Sequence, residues 1–293
     1  MDRRKFLGLL ALSAGAVACA RTRIDQTPLP EGFEAIRDHL PAGAASDLNV
    51  FLGGQEFLAE REQRASFGLV DAAGNDVLGG APRVWISDGT TVEGPFAAVS
   101  RRYEEVVLPG DPRGFYVTTM SIPRPGIATV LVEHDGSYGT AALQPRRRPL
   151  VPGVGEHAVA IPTPTVRNDR GIAALCTREP PCPMHQQRLD RVLGDGVPVV
   201  FTIASPKLCT SRTCGPVVNE ILHVRRSHRD GAHFLHAEVY ATGTPTVLAP
   251  TSEAWRIESE PWTFVIDGDG VIRTRFEGPV VADEIEPALA ALI

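Results

Sequence analysis

An α+β chain in two folded domains, a β-sandwich followed by an α/β domain, is the architecture that three features of this sequence predict. Short apolar runs alternate with turn sequences between Asp47 and Gln144, at the spacing of an antiparallel sandwich. From Val197 onward the pattern changes to strand, helix, strand, hairpin and helix. A stretch rich in proline, with an arginine triplet at Arg146-Arg147-Arg148, separates the two patterns. The length of 293 residues suits two domains. With 29 Lys+Arg against 35 Asp+Glu the chain is acidic, which argues against a nucleic-acid groove and against nucleic acid as a partner.

Residues 1–19 have a charged start, an apolar run from Phe6 to Leu12, and small residues from Ser13 to Ala18, the pattern of a signal peptide. The apolar part is too short for a permanent span, which needs roughly 20 residues. Asp2-Arg3-Arg4-Lys5-Phe6-Leu7 resembles the twin-arginine export motif, and Ala16-Val17-Ala18-Cys19 resembles a lipoprotein box. Those resemblances imply export and lipidation of Cys19, with plain secretion after Ala18 as the other reading. The protein would then sit on the outer face of the cell membrane or in the periplasm, tethered by a lipid.

Residues 20–46 are polar and carry Pro28, Pro30 and Pro41, and read as a linker. The first domain, 47–145, offers seven strands: Asn49–Leu52, Ala65–Val70, Arg83–Ile86, Phe96–Arg102, Phe115–Ser121, Ala128–Glu133 and Thr140–Leu143. Turn residues divide them, notably Ala73-Gly74-Asn75-Asp76, Asp88-Gly89 and Asp135-Gly136. An immunoglobulin-like sandwich without an internal disulfide is the expectation, since no cysteine lies in it. Residues 146–170 read as a linker. In 171–293, Val197–Ala204 is a continuous apolar run, as in a strand buried on both faces. Val217, Val218, Ile221, Leu222 and Val224 recur at helical spacing, then come strands at Phe234–Ala241, Trp262–Asp267 and Val271–Phe276 and a helix at Ala282–Leu292.

Beyond Cys19, four cysteines remain: Cys176, Cys182, Cys209 and Cys214. An even number in an exported chain favours two disulfides. Cys176 and Cys182 lie among prolines in Cys176-Thr177-Arg178-Glu179-Pro180-Pro181-Cys182-Pro183-Met184-His185, where a structural disulfide is the first expectation. Capture of copper(I) or zinc by Cys176, Cys182, Met184 and His185 is the alternative. No cofactor is otherwise expected, and the remaining histidines, His236 among them, read as solvated or core residues.

Cys209 and Cys214-Gly215-Pro216 fall at a strand-to-helix junction, and Pro261-Trp262-Thr263-Phe264-Val265-Ile266-Asp267 precedes a glycine-bearing hairpin. Over roughly residues 150–293 this order resembles the thioredoxin-like superfamily. The resemblance implies a thioredoxin-like α/β fold, a cis-proline at Pro261 facing the redox site, and thiol-disulfide exchange with cysteine-containing envelope proteins. The motif differs from the usual Cys-x-x-Cys by having four intervening residues. A thiol at a helix N-terminus meets unpaired N–H groups that favour thiolate. Cys214 is therefore expected to attack and Cys209 to resolve, with the opposite assignment as the other reading, Arg212 adding positive charge and Trp262 either walling the bound peptide or filling the core. Two other readings remain open: a tethered binding module locked by two disulfides, and a copper chaperone. The latter shares the fold but has a histidine near the position that here reads Glu258-Ser259-Glu260-Pro261. Partner, redox direction and oligomeric state are not legible.

Overall fold

A computed structural model describes residues 32–105 and 110–293. The signal segment, Cys19 and the first part of the 20–46 linker lie outside the described residues. Phe33–Ile36 forms a single helical turn, α1, continued by a 3₁₀ turn over Arg37–His39. Seven strands follow: β1 (Leu48–Leu52), β2 (Glu62–Asp71), β3 (Arg83–Ser87), β4 (Val92–Arg102), β5 (Gly114–Ser121), β6 (Ala128–His134) and β7 (Ser137–Leu143). Each of the seven apolar runs lies within one of them.

Their alternation explains their burial. Val84, Ile86, Val130 and Val132 point into the main apolar cluster of this sheet, while Trp85 and Leu131 point the other way. There they are covered by Phe33 and Ile36 of α1, so β6 is buried along its whole length. The strands pair antiparallel in the order β1-β2-β5-β4-β3-β6-β7. The expected sandwich would place two separate sheets face to face, but β4 prevents that division. Its Val92–Ala97 half pairs with β3 and its Ala98–Arg102 half pairs with β5, so both halves stay in one curled sheet. The free edges then nearly meet. Ala45 bridges Ser137, and Gly139 lies so close to β1 that a Cβ there would sit 2.3 Å from the Leu48 carbonyl oxygen.

The C-terminal part continues with α2 (Leu189–Val192), β8 (Val199–Ile203), α3 (Cys214–His228), β9 (His233–Ala237), α4 (Pro250–Trp255), β10 (Trp262–Ile266), β11 (Ile272–Glu277) and α5 (Ala282–Ala290). The sheet order is β11-β10-β8-β9, in which only β8 and β9 run parallel. Val200 and Val265 face Val217, Ile221, Ile285 and Leu289 of α3 and α5. Phe201, Phe264 and Ile266 face Trp255, Trp262 and Val151. Residues 146–170 pack along the β10–β11 hairpin, where Gly155 N–H donates to the Ile272 carbonyl and Ala158 N–H to the Gly270 carbonyl.

The expected fold class, an immunoglobulin-like sandwich followed by a thioredoxin-like α/β domain, is therefore corrected. The chain is predominantly β, with a nearly closed seven-stranded antiparallel sheet and a small mixed sheet. The physical reason is continuity: β4 joins what would be two sheets, and the apolar core does not stop at a domain boundary. Tyr103 and Phe115 from the first sheet belong to the same cluster as α3 and α5. No helix among the described residues is long and apolar enough to cross a membrane.

Polar contacts lock the two sheets together. The buried carboxylate of Glu220 on α3 accepts the Glu104 N–H at 2.8 Å and the Ala282 N–H at 2.9 Å. Arg64 on β2 holds Glu284 through two bonds of 2.7 and 3.0 Å and also donates to the Pro279 carbonyl. Its guanidinium lies between the Phe115 and Phe276 rings. Replacing Arg64 with alanine strands the largely buried Glu284 carboxylate, which should cost about 3 kcal/mol in urea unfolding. A loss below a few tenths would show that this contact does not join the sheets.

Candidate redox site and the adjoining cysteine–histidine cluster

The end of β8 builds the candidate site. Ala204 and Ser205 leave the strand, and Leu208 and Cys209 N–H groups both fold back onto the Ser205 carbonyl at 3.0 Å. Arg212 N–H closes a second turn onto the Cys209 carbonyl, with Arg212 at φ 60°. α3 then starts at Cys214. This doubled turn is what four intervening residues permit, and it returns Cys209 toward Cys214. Both are buried free thiols, and their sulfurs and a Glu260 oxygen all lie within 4.8 Å of one another.

The two thiols differ chemically. Cys209 is brought down to about 6, chiefly because the Cys214 thiol donates to its sulfur. That bond, the Ser211 hydroxyl 3.1 Å away and the Thr213 and Cys214 N–H groups outweigh burial. Cys214 has no exposed surface, and burial together with the neighbouring Cys209 sulfur pushes it well above the ordinary thiol range. Burial and hydrogen bonding thus favour Cys209 over Cys214 as the thiolate, the second of the two assignments open from the sequence. The helix start supplies N–H groups, but they point at the preceding cysteine.

Glu260 Oε2 lies 3.3 Å from the Cys214 sulfur and competes with Cys209 for its single proton. Burial, then the charge of Cys209, raises Glu260 to about 7 against the opposing bonds from Cys214, Tyr240 and the Ser205 N–H. Tyr240 Oη donates to Glu260 Oε1 at 3.1 Å and Ser205 N–H to Oε2 at 3.1 Å. Tyr103 reaches this region from the first sheet, and its buried hydroxyl has no hydrogen-bond partner among the described residues.

The other expected residues fall as follows. The Glu260–Pro261 bond is cis, and Pro261 is buried with its carbonyl accepting the Gly278 N–H. Trp262 fills the core, stacked on Phe264, with its indole N–H bonded to Ser259. It is 2% exposed. Arg212 reaches away from the thiols to Asp111 of the first sheet, 3.4 Å away. Beside Cys214, residues Pro206, Lys207 and Gly215 line a cavity of about 210 Å³ together with Asp111, Thr177 and Arg178.

Cys176 and Cys182 are free thiols whose sulfurs stand 3.8 Å apart. His185 joins them, with Nε2 3.2 Å from the Cys182 sulfur. Met184 packs in the apolar cluster, and its backbone carbonyl accepts the His236 N–H. The fourth member is His236 on β9, whose Nδ1 lies 3.3 Å from Cys182 and 3.9 Å from Cys176. Sequence reasoning missed His236, Glu260, Tyr240 and Ser211. Glu260 stands directly before Pro261, but nothing local to it in the sequence points to a proton acceptor. His236 had no local signal, being one of several histidines between His223 and His236.

No protein-family model matches the chain, and no curated protein matches it.

The alkylation rate of Cys209 should rise as pH increases through about 6 and level off above it, since thiolate is the reactive form. Cys214 should stay unmodified until the chain is unfolded. Ser211→Ala removes a donor to the thiolate and should move the Cys209 midpoint upward. Quenched alkylation read by mass spectrometry checks all three, and a Cys209 midpoint near 8.5 would remove the activated thiolate.

Proposed function

We propose that this protein is a thiol-disulfide oxidoreductase acting on cysteine-containing exported proteins. The observation that carries the reading is an asymmetric pair of free thiols beside one buried carboxyl. Cys209 is lowered to about 6, while Cys214 is buried against Glu260. A structural clip needs neither the depressed thiol nor the acid.

In the reducing direction the Cys209 thiolate attacks one sulfur of a partner disulfide. An S–S bond forms between Cys209 and the partner, and the partner's other sulfur leaves as thiolate. Cys214 then loses its proton to the Glu260 carboxylate and attacks the Cys209 sulfur, releasing the second partner thiolate. The chain ends with a Cys209–Cys214 disulfide and has passed two electrons to its partner. Run backwards, the same steps oxidise a partner dithiol. Glu260 titrates near 7, so near neutral pH it can both accept and return the proton. The cavity lined by Pro206, Lys207 and Gly215 gives a partner segment a place beside the pair. The twin-arginine-like start and the small-residue run before Cys19 support an exported location, on the membrane by a lipid or free beyond it.

Insulin reduction with the full chain tests the reading. Wild type should be active and Cys209→Ser inactive, and Cys214→Ser should accumulate mixed disulfides because nothing resolves them. Glu260→Gln should keep Cys209 alkylation while slowing turnover about tenfold to a hundredfold, the scale of a lost general base. An inactive wild type, or a Cys209–Cys214 disulfide that resists glutathione, would make the pair a clip.

A further inference from the structure

The cluster of Cys176, Cys182, His185 and His236 plays no part in the exchange chemistry at Cys209 and Cys214. Its donor spacing is close to that of a tetrahedral metal site. Tetrahedral zinc with bonds of roughly 2.3 Å to sulfur and 2.0–2.1 Å to nitrogen places its two sulfurs about 3.8 Å apart and each sulfur about 3.5 Å from each nitrogen. Here the sulfurs are 3.8 Å apart, and three of the four sulfur-to-imidazole distances are 3.2, 3.3 and 3.9 Å. All four donor atoms lie within 4.8 Å of one another. A disulfide would instead bring the sulfurs to about 2.05 Å.

The surroundings orient these donors toward a common point. His236 Nε2 donates to the Ala204 carbonyl at 2.8 Å, which fixes the tautomer and leaves the Nδ1 lone pair facing both sulfurs. A backbone carbonyl behind a ligating imidazole is the usual outer partner of such a site. The Cys182 N–H donates to the Cys176 sulfur at 3.4 Å, supporting thiolate there. Beside Cys176, the Thr177 N–H and hydroxyl both bind the buried Glu238 carboxylate, pinning the loop. Cys182, His185 and His236 are at most 6% exposed, so water has little room to complete a coordination sphere.

We propose that Cys176, Cys182, His185 and His236 bind one zinc ion in a closed S₂N₂ site. With four protein ligands it holds no open position, and its role is structural. It ties the 176–185 loop to β9 and, through His236 and Ala204, to the end of β8. The inference stands apart from the exchange reaction, because none of the four ligands belongs to the Cys209 pair.

The full chain, reduced, stripped of metal and titrated with zinc alone against a chromophoric chelator, should take up one equivalent. Cobalt(II) in its place should give the visible bands of a tetrahedral ion and a sulfur-to-metal charge-transfer band. Zinc should also protect Cys176 and Cys182, but not Cys209, from alkylation, a readout that needs no variant. Cys176→Ser and His185→Ala should each weaken binding beyond the roughly 10–100-fold cost of losing an outer-shell partner. Cys209→Ser and Cys214→Ser should bind zinc as wild type does, whether or not insulin is reduced. Uptake well below one equivalent, zinc lost with Cys209→Ser, or Cys176 and Cys182 joined as a disulfide in protein purified with zinc present would overturn the site.

Discussion

Everything that carries chemistry in this molecule hangs on the backbone of Ala204 and Ser205, where β8 ends. The Ala204 carbonyl accepts His236, and its N–H donates to the Ala237 carbonyl of the parallel strand β9. One residue on, the Ser205 N–H donates to Glu260, its carbonyl receives the Leu208 and Cys209 N–H groups, and its hydroxyl accepts the Val239 N–H. Two consecutive residues thus position both cysteine clusters, one on each side. These groups are buried, so each hydrogen bond left unmade would cost desolvation of a polar group, about 1–3 kcal/mol. That cost, rather than any single apolar contact, fixes where the thiols lie.

The first sheet takes part in this arrangement instead of acting as a spacer. Its curl puts β5 and the end of β4 against α3 and α5, so Tyr103 and Phe115 close the apolar cluster that contains Cys209 and Cys214. Burial is what separates the two thiols, since it holds Cys214 neutral while hydrogen bonds pull Cys209 down. Without the first sheet, Cys214 would gain water and the asymmetry would shrink. Glu220 does the same work at the other end of the contact, joining the Glu104 backbone to the start of α5. The reactivity of Cys209 is therefore a property of the joined sheets.

Local pattern made much of this legible. Short apolar runs mark the strands, unbroken in β8, and the apolar spacing from Val217 to Val224 marks α3, because both report one element's own burial. What failed was the step from elements to architecture. A strand's sequence says which face is apolar but not how many neighbours it has, so β4 could not be seen to pair with both β3 and β5. The cysteines followed the same rule. Cys209 and Cys214 are five residues apart, and their closeness follows from the doubled turn between β8 and α3. The partners that set their chemistry, Glu260 and Tyr240, come from segments remote in sequence. His236 is likewise 51 residues from His185 in the numbering, and the loop carrying Cys182 meets it by pairing along β9, where the His236 backbone N–H donates to the Met184 carbonyl.

The two clusters hold similar sulfur pairs but divide their work through the groups beside them. Imidazoles next to Cys176 and Cys182 are neutral donors, so two thiolates and two nitrogens can surround a divalent cation with no excess negative charge. Beside Cys209 and Cys214 stands a carboxyl instead. Two thiolates and a carboxylate buried together would carry three negative charges, which repulsion and desolvation forbid, so protons remain among them and move. The raised positions of Glu260 and Cys214 are that constraint expressed as acidity. A cation there would need to remove the proton that resolution of a mixed disulfide depends on. In the roles proposed for them, histidine at one pair and glutamate at the other would keep metal binding and sulfur exchange apart, with both clusters bonded to the same end of β8.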